Sequence, residues 1–167
     1  MGSFEEFAVN IILIGFMGSG KSTVAKLLGL TAVEMDDLVY QKTNTQNMHE
    51  VFALGGELLL RETEIALAKE YACKQNLVIS TGGGVVLNKI ILDYFKKTGG
   101  KVIFLNASFE QIAKRLKGDQ TRPLLTDAKK LYDFRLPLYL HYADEVIDAD
   151  QPTDEIVLKI KGLLNGL

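Results

Sequence analysis

The run Gly15-Phe16-Met17-Gly18-Ser19-Gly20-Lys21-Ser22 constrains this chain more than any other feature. It satisfies G-x-x-x-x-G-K-[ST] at every fixed position. It also stands between an apolar run over Val9–Ile14 and a helical pattern over Lys21–Leu28. That strand–loop–helix context separates a phosphate cradle from a chance glycine turn. Glycines let the backbone bend tightly enough for its N–H groups to converge on phosphate oxygens. The N-terminus of the following helix adds partial positive charge. The cofactor-binding set expected here is Gly18, Ser19, Gly20, Lys21, Ser22 and Thr23. Lys21 reaches the terminal phosphates of a nucleoside triphosphate and neutralises charge during transfer, while the Ser22 hydroxyl ligates Mg²⁺. The loop does not name the phosphoryl acceptor. Asn-Lys-x-Asp and Asp-x-x-Gly signals are both missing from the sequence, which argues against a guanine-nucleotide switch.

The remainder of the chain alternates short apolar runs with amphipathic stretches. Strands are expected at Val9–Ile14, Thr31–Met35, Leu77–Ser80, Lys101–Leu105 and Glu145–Ile147. Helices are expected at Lys21–Leu28, Asp37–Thr43, Met48–Leu54, Glu57–Lys74, Lys89–Lys97, Phe109–Lys117, Ala128–Ala143 and Thr153–Leu164. Ser108 is placed to cap the helix at Phe109. Pro137 is expected to bend or break the helix that contains it. The alternation implies a three-layer α/β/α domain with a five-stranded parallel sheet covered on both faces. In such a sheet the ligand lies beyond the carboxyl ends of the strands. No repeat or linker divides residues 1–167, so a single domain is expected, with the polar stretch before Arg122-Pro123 as a lid over about 114–126.

Composition narrows the function classes. Nineteen Lys and Arg stand against 21 Asp and Glu, for a net charge of −2. Broad nucleic-acid binding needs a positive excess to displace counterions, so it is not expected. The single cysteine, Cys73, excludes an intramolecular disulfide and reads as packed filler in a helical pattern. His49 and His141 have no ligand-like partners in the sequence and read as ordinary histidines. Val9–Gly15 is too short to span a bilayer. No signal-peptide pattern opens the chain, and Glu6 spoils a myristoylation motif. A cytoplasmic monomer that does not bind membranes is expected.

Five further segments follow the phosphate loop in order: Glu34-Met35-Asp36-Asp37, Gly56-Glu57-x-x-x-Arg61-x-x-Glu64, Gly82-Gly83-Gly84, Arg122-Pro123-Leu124-Leu125, and Arg135-x-Pro137-Leu138-Tyr139. Together they resemble the shikimate kinase family over nearly the whole chain. The resemblance implies a nucleoside-monophosphate-kinase-like fold, ATP as co-substrate, Mg²⁺, and transfer of the γ-phosphate to the 3-hydroxyl of shikimate in aromatic amino-acid (chorismate) biosynthesis. It assigns Asp36, Arg61, Gly82, Gly83, Gly84 and Arg135 to the substrate, within a helical region of about 34–64 and the loops that face it. It assigns Lys21, Asp36 and Arg122 to catalysis, Arg115 and Pro152 to the adenine side, and Ser22 and Glu34 to the metal. The chemistry suits these residue types: two guanidinium forks can clamp a carboxylate, and an Asp can orient a hydroxyl or take its proton.

Each segment also has a plainer reading. Glu57, Arg61 and Glu64 are spaced as a surface ion-pair ladder. Arg135 can pair with Asp133 or Asp144, and Asp36-Asp37 can be a solvated turn. The sequence departs from the family pattern in three ways. Glu34 stands where the first Asp of Asp-x-Asp is usual, and Leu60 stands where Phe is usual before the helix arginine. The Lys21–Glu34 and Arg122–Arg135 spans are also short, by about one and about two helical turns. A kinase of the same fold acting on gluconate or a nucleoside monophosphate, and a non-catalytic nucleotide-binding regulatory domain, are the competing readings.

Overall fold

The computed structural model describes residues 9–117 and 125–165. Five strands form one parallel sheet: β1 (Ile11–Ile14), β2 (Thr31–Glu34), β3 (Leu77–Ser80), β4 (Lys101–Asn106) and β5 (Glu145–Asp148). Their spatial order is β2-β3-β1-β4-β5. Every residue of β1 and β3 is buried, which explains why both read as unbroken apolar runs rather than alternations. Central β1 carries the register for both sides, with Ile12 opposite Ile79 of β3 and Val102 of β4. The chain leaves β1 towards one edge, returns through β3, and crosses to β4 and β5. The loops after β1 and β3 therefore meet at the carboxyl ends of neighbouring strands, where the crevice of a doubly wound sheet opens.

Seven helices are described: α1 (Lys21–Leu27), α2 (Met35–Thr43), α3 (Met48–Tyr71), α4 (Lys89–Lys97), α5 (Phe109–Leu116), α6 (Leu125–Tyr142) and α7 (Thr153–Asn165). A short 3₁₀ turn, Val85–Leu87, precedes α4. Val24, Leu67, Ile91, Phe95, Ile112 and Ile160 bring the helices onto the sheet in one buried core. The Ser108 cap forms as expected, its Oγ accepting from Gln111 N at 3.3 Å. Among the described residues no helix is long and apolar enough to cross a membrane.

Several boundaries depart from the sequence reading. The two helical runs over 48–54 and 57–74 form one element, α3, kinked at Gly56 (φ 66°, ψ −162°). No side chain adopts that conformation comfortably, so glycine is what lets the two halves join at an angle. The second strand stops at Glu34, and α2 begins at Met35 rather than Asp37. This places Asp36 in the first helical turn, where the helix dipole favours a carboxylate. α6 continues through Pro137 without a break. The hydrogen bond lost there would have involved the carbonyl of Asp133, and both residues face solvent, so water can replace the missing N–H. Cys73 is exposed rather than packed. It lies just past the end of α3, where the helical periodicity no longer governs which side faces the core. Arg122, Pro123 and the central part of the expected lid lie outside the described residues.

Candidate active site

The phosphate loop bends from β1 into α1. Its turn is closed by Ser19 N donating to Phe16 O at 3.1 Å. Gly20 takes the left-handed conformation (φ 94°) at the N-cap of α1, and Val24 N donates back to its carbonyl at 3.0 Å. Lys21 is buried against the loop it serves, its Nζ donating to Gly15 O at 2.7 Å and Phe16 O at 3.1 Å. The Ser22 hydroxyl donates to Glu34 Oε2 at 3.0 Å and lies 3.4 Å from Ser80 Oγ. The other Glu34 oxygen, Oε1, is buried with no protein partner.

This donor set fits Mg²⁺. The ion takes one or two protein oxygens, keeps several waters and completes its shell with substrate phosphates. Ser22 Oγ and the unsatisfied Glu34 oxygen supply that kind of set. Among the described residues no group of three or more His, Cys, Asp or Glu forms an all-protein cage.

A cleft of about 840 Å³ runs from this loop to the acceptor side, a size typical of small-molecule sites. Its far wall is formed by the first turn of α2, the start of α3, the glycine loop after β3, and Arg135 of α6. The glycines show how tightly these side chains close in. A Cβ at Gly82 would lie 3.0 Å from Asp36 Oδ1. One at Gly83 would lie 3.1 Å from Arg135 Nη1, and one at Gly84 would collide with Arg61 Nη2 while lying 3.2 Å from Arg135 Nη2. Asp36, Arg61 and Arg135 therefore converge on Gly82–Gly84 from three helices. The Nε atoms of both arginines are buried without a protein partner.

Arg61 Nη1 meets Glu64 Oε1 at 2.5 Å with Glu64 buried, so only the Glu57 rung, at 3.5 Å, is exposed. Burial outweighs the opposing pull of Arg61 and pushes the Glu64 carboxyl up to about 7, with Asp36 and Glu57 adding to the rise. Asp133 pairs with Lys129, and Asp144 pairs with Lys96 and accepts from Val102 N, so neither holds Arg135. Asp37 faces solvent while Asp36 faces the glycine loop.

On the nucleotide side, Arg115 of α5 donates to Gly18 O at 2.5 Å. It lines a groove of about 360 Å³ with Gly18, Gly20, Thr23, Thr153 and Ile156. Pro152 sits one residue outside this lining. Its carbonyl accepts from Glu155 N and Ile156 N and so shapes the start of α7.

Sequence reasoning missed several wall residues. Tyr40, Asn47, Met48 and His49 all line the cleft, with His49 itself exposed. These four lie around the α2–α3 junction, whose approach to the phosphate loop is a tertiary event that periodicity does not encode. Ser80, which ends β3 beside Ser22, carried no signal beyond its place before the triple glycine.

The shikimate kinase family model matches residues 17–165. The chain belongs to the shikimate kinase family. Shikimate kinase of Caldicellulosiruptor bescii is 38% identical over 157 residues, covering 88% of this chain and 90% of that protein. Shikimate kinase of Sulfurihydrogenibium sp. is 38% identical over 165 residues, covering 91% of this chain and 98% of that protein. Among solved structures, shikimate kinase from Acinetobacter baumannii in complex with shikimate superposes with a TM-score of 0.87 at 29% identity, covering 98% of this chain and 96% of that one. The likeness in fold thus extends over nearly the full length, and β2 stands in register against β3.

Proposed function

We infer that this chain transfers the γ-phosphate of ATP to the 3-hydroxyl of shikimate, giving shikimate 3-phosphate and ADP. One observation carries the reading: Asp36 and Arg135 line one end of a cleft with Gly82 and Gly83 while Lys21 and Ser22 line the other, and Arg61, just beyond that lining, meets Arg135 at Gly84. Two guanidinium groups face one small space, with a carboxylate beside them. That arrangement suits an acceptor carrying both a carboxylate and ring hydroxyls.

The roles follow from position. Arg61 and Arg135 clamp the acceptor carboxylate, and the side-chain-free glycine loop lets the ring approach the backbone. Asp36 orients the attacking hydroxyl and accepts its proton as the new O–P bond forms and the bond to ADP breaks. Lys21 follows charge onto the transferred group. Ser22 and Glu34 would hold Mg²⁺ together with the phosphates, and the ion would supply charge neutralisation there. Arg115 and the groove beside Thr153 take the adenine side, with Pro152 shaping that wall. Arg122, which lies outside the described residues, is assigned to the phosphates through the family resemblance. The lid that the family resemblance implies over about 114–126, whose centre lies outside the described residues, would exclude water as a competing acceptor. We also propose that residues 1–167 act as a single domain, monomeric and cytoplasmic, in keeping with one sheet and one core.

ADP release with Mg-ATP, measured with and without shikimate and with gluconate and AMP as comparison acceptors, tests the reading. Strong stimulation by shikimate alone is expected. Stimulation by another acceptor instead would move the assignment within the fold. ATP binding without any transfer would indicate a regulatory domain.

A further inference from the structure

Tyr139 stands apart from the residues assigned so far. It lies in α6 four residues after Arg135, so both side chains leave the same face of the helix. Its ring is 1% exposed and stacks on Phe104 of β4, with centroids 5.0 Å apart and planes inclined by 22°. Its hydroxyl donates to Gly83 O at 2.5 Å. Burial pushes the phenol up to about 12 against the opposing influence of Arg135, so it remains a donor at neutral pH. The same oxygen would lie 3.5 Å from a Cβ at Gly83, which also faces Arg135 Nη1 at 3.1 Å and Gly15 O at 3.8 Å. One hydroxyl thus meets the acceptor loop where that loop touches both an acceptor arginine and the phosphate loop. Among the described residues, Asp133 and Asp144, the acids near Arg135 in sequence, are paired with lysines. The Phe104 stack fixes the phenol, and the phenol is placed to fix the guanidinium and the loop.

We propose that Tyr139 is a positioning residue for the acceptor: its hydroxyl locks the Gly82–Gly84 loop to α6 and aims the Arg135 guanidinium at the acceptor carboxylate. The inference rests on the acceptor reading given above. It differs from a packing role in what it predicts. Tyr139→Phe keeps the ring, the stack and the buried volume, and removes only the hydroxyl.

The test is steady-state kinetics of wild type and Tyr139→Phe with shikimate and ATP varied separately, alongside thermal melting of each protein. The expected result is a rise of ~10-fold in KM for shikimate, with KM for ATP and kcat within about twofold, as loss of one well-made hydrogen bond implies. With the analogue whose carboxylate is reduced to a primary alcohol, the two proteins should differ by less than about twofold. In an Arg135→Lys background, Tyr139→Phe should add little to the shikimate KM, because the group it aims has gone. Unchanged shikimate KM in an active Tyr139→Phe enzyme overturns the positioning role and leaves the kinase reading intact. Equal rises in both KM values with a lower melting temperature also overturn it, in favour of packing alone. A wild-type protein that shikimate does not stimulate refutes the acceptor reading and this inference with it.

Discussion

Replacing Glu64 with Gln should change how stability depends on pH, and the sign follows from the site. Glu64 is 1% exposed on α3 and touches Arg61, yet its carboxyl sits at about 7 against 4.5 for the free side chain, because burial costs the ion more than Arg61 returns. A group whose folded pKa is raised binds its proton more tightly when folded. Its contribution is therefore fully present below about 4.5 and is lost as pH rises through about 7. At about 1.4 kcal/mol per pH unit, the full loss is ~3 kcal/mol, most of it between about pH 5 and pH 8. Gln fills the same volume and does not titrate. Urea unfolding of both proteins across that range, at constant ionic strength, should show wild type losing roughly 2 to 3 kcal/mol relative to Glu64→Gln, with the difference levelling off above neutrality. Parallel pH profiles would refute the reasoning. So would wild type gaining on the variant as pH rises, since that would mean the Arg61 charge wins over desolvation.

Arg61→Ala should raise KM for shikimate by ~10- to 100-fold with ATP binding intact, through loss of a charge-assisted contact. It should also cost some stability by leaving buried Glu64 without its hydrogen-bond partner; unchanged shikimate kinetics would remove Arg61 from the site. Lys21→Met should abolish turnover while circular dichroism stays native, and near-wild-type turnover would show that Lys21 does not carry charge in the transfer. Gly84→Ala should raise the shikimate KM by ~10-fold and spare the ATP KM, because its Cβ occupies the space of Arg61 Nη2 and crowds Arg135. Isothermal titration with each ligand separately would separate that effect from a general loss of fold.

The sheet and the phosphate loop were legible from local chemistry alone. β1 and β3 are buried on both faces, and that condition writes itself into sequence as continuous apolar runs. The loop needs glycines where its backbone meets phosphate, and Lys21-Ser22 must follow directly because α1 starts there. The helix of Phe109–Leu116 was equally readable through its Ser108 cap. Boundaries at Glu34 and Met35, and the fate of Pro137, were less so. They depend on whether a backbone group faces solvent or protein.

The acceptor site shows where local reading stops. Sequence places Asp36, Arg61, the triple glycine and Arg135 in order, and chemistry says what each can do. It leaves Glu57-Arg61-Glu64 equally open as a surface ladder. Only the packed structure, kinked at Gly56 and closed by α6, buries Glu64, turns both guanidinium groups onto Gly84 and seats Tyr139 on Gly83. Residue type and periodicity act over a few neighbours, so the sequence by itself determined the layers and the phosphate cradle. Burial and convergence arise between segments far apart in the chain, so tertiary structure decided which charges are paired, which are desolvated and which face the acceptor.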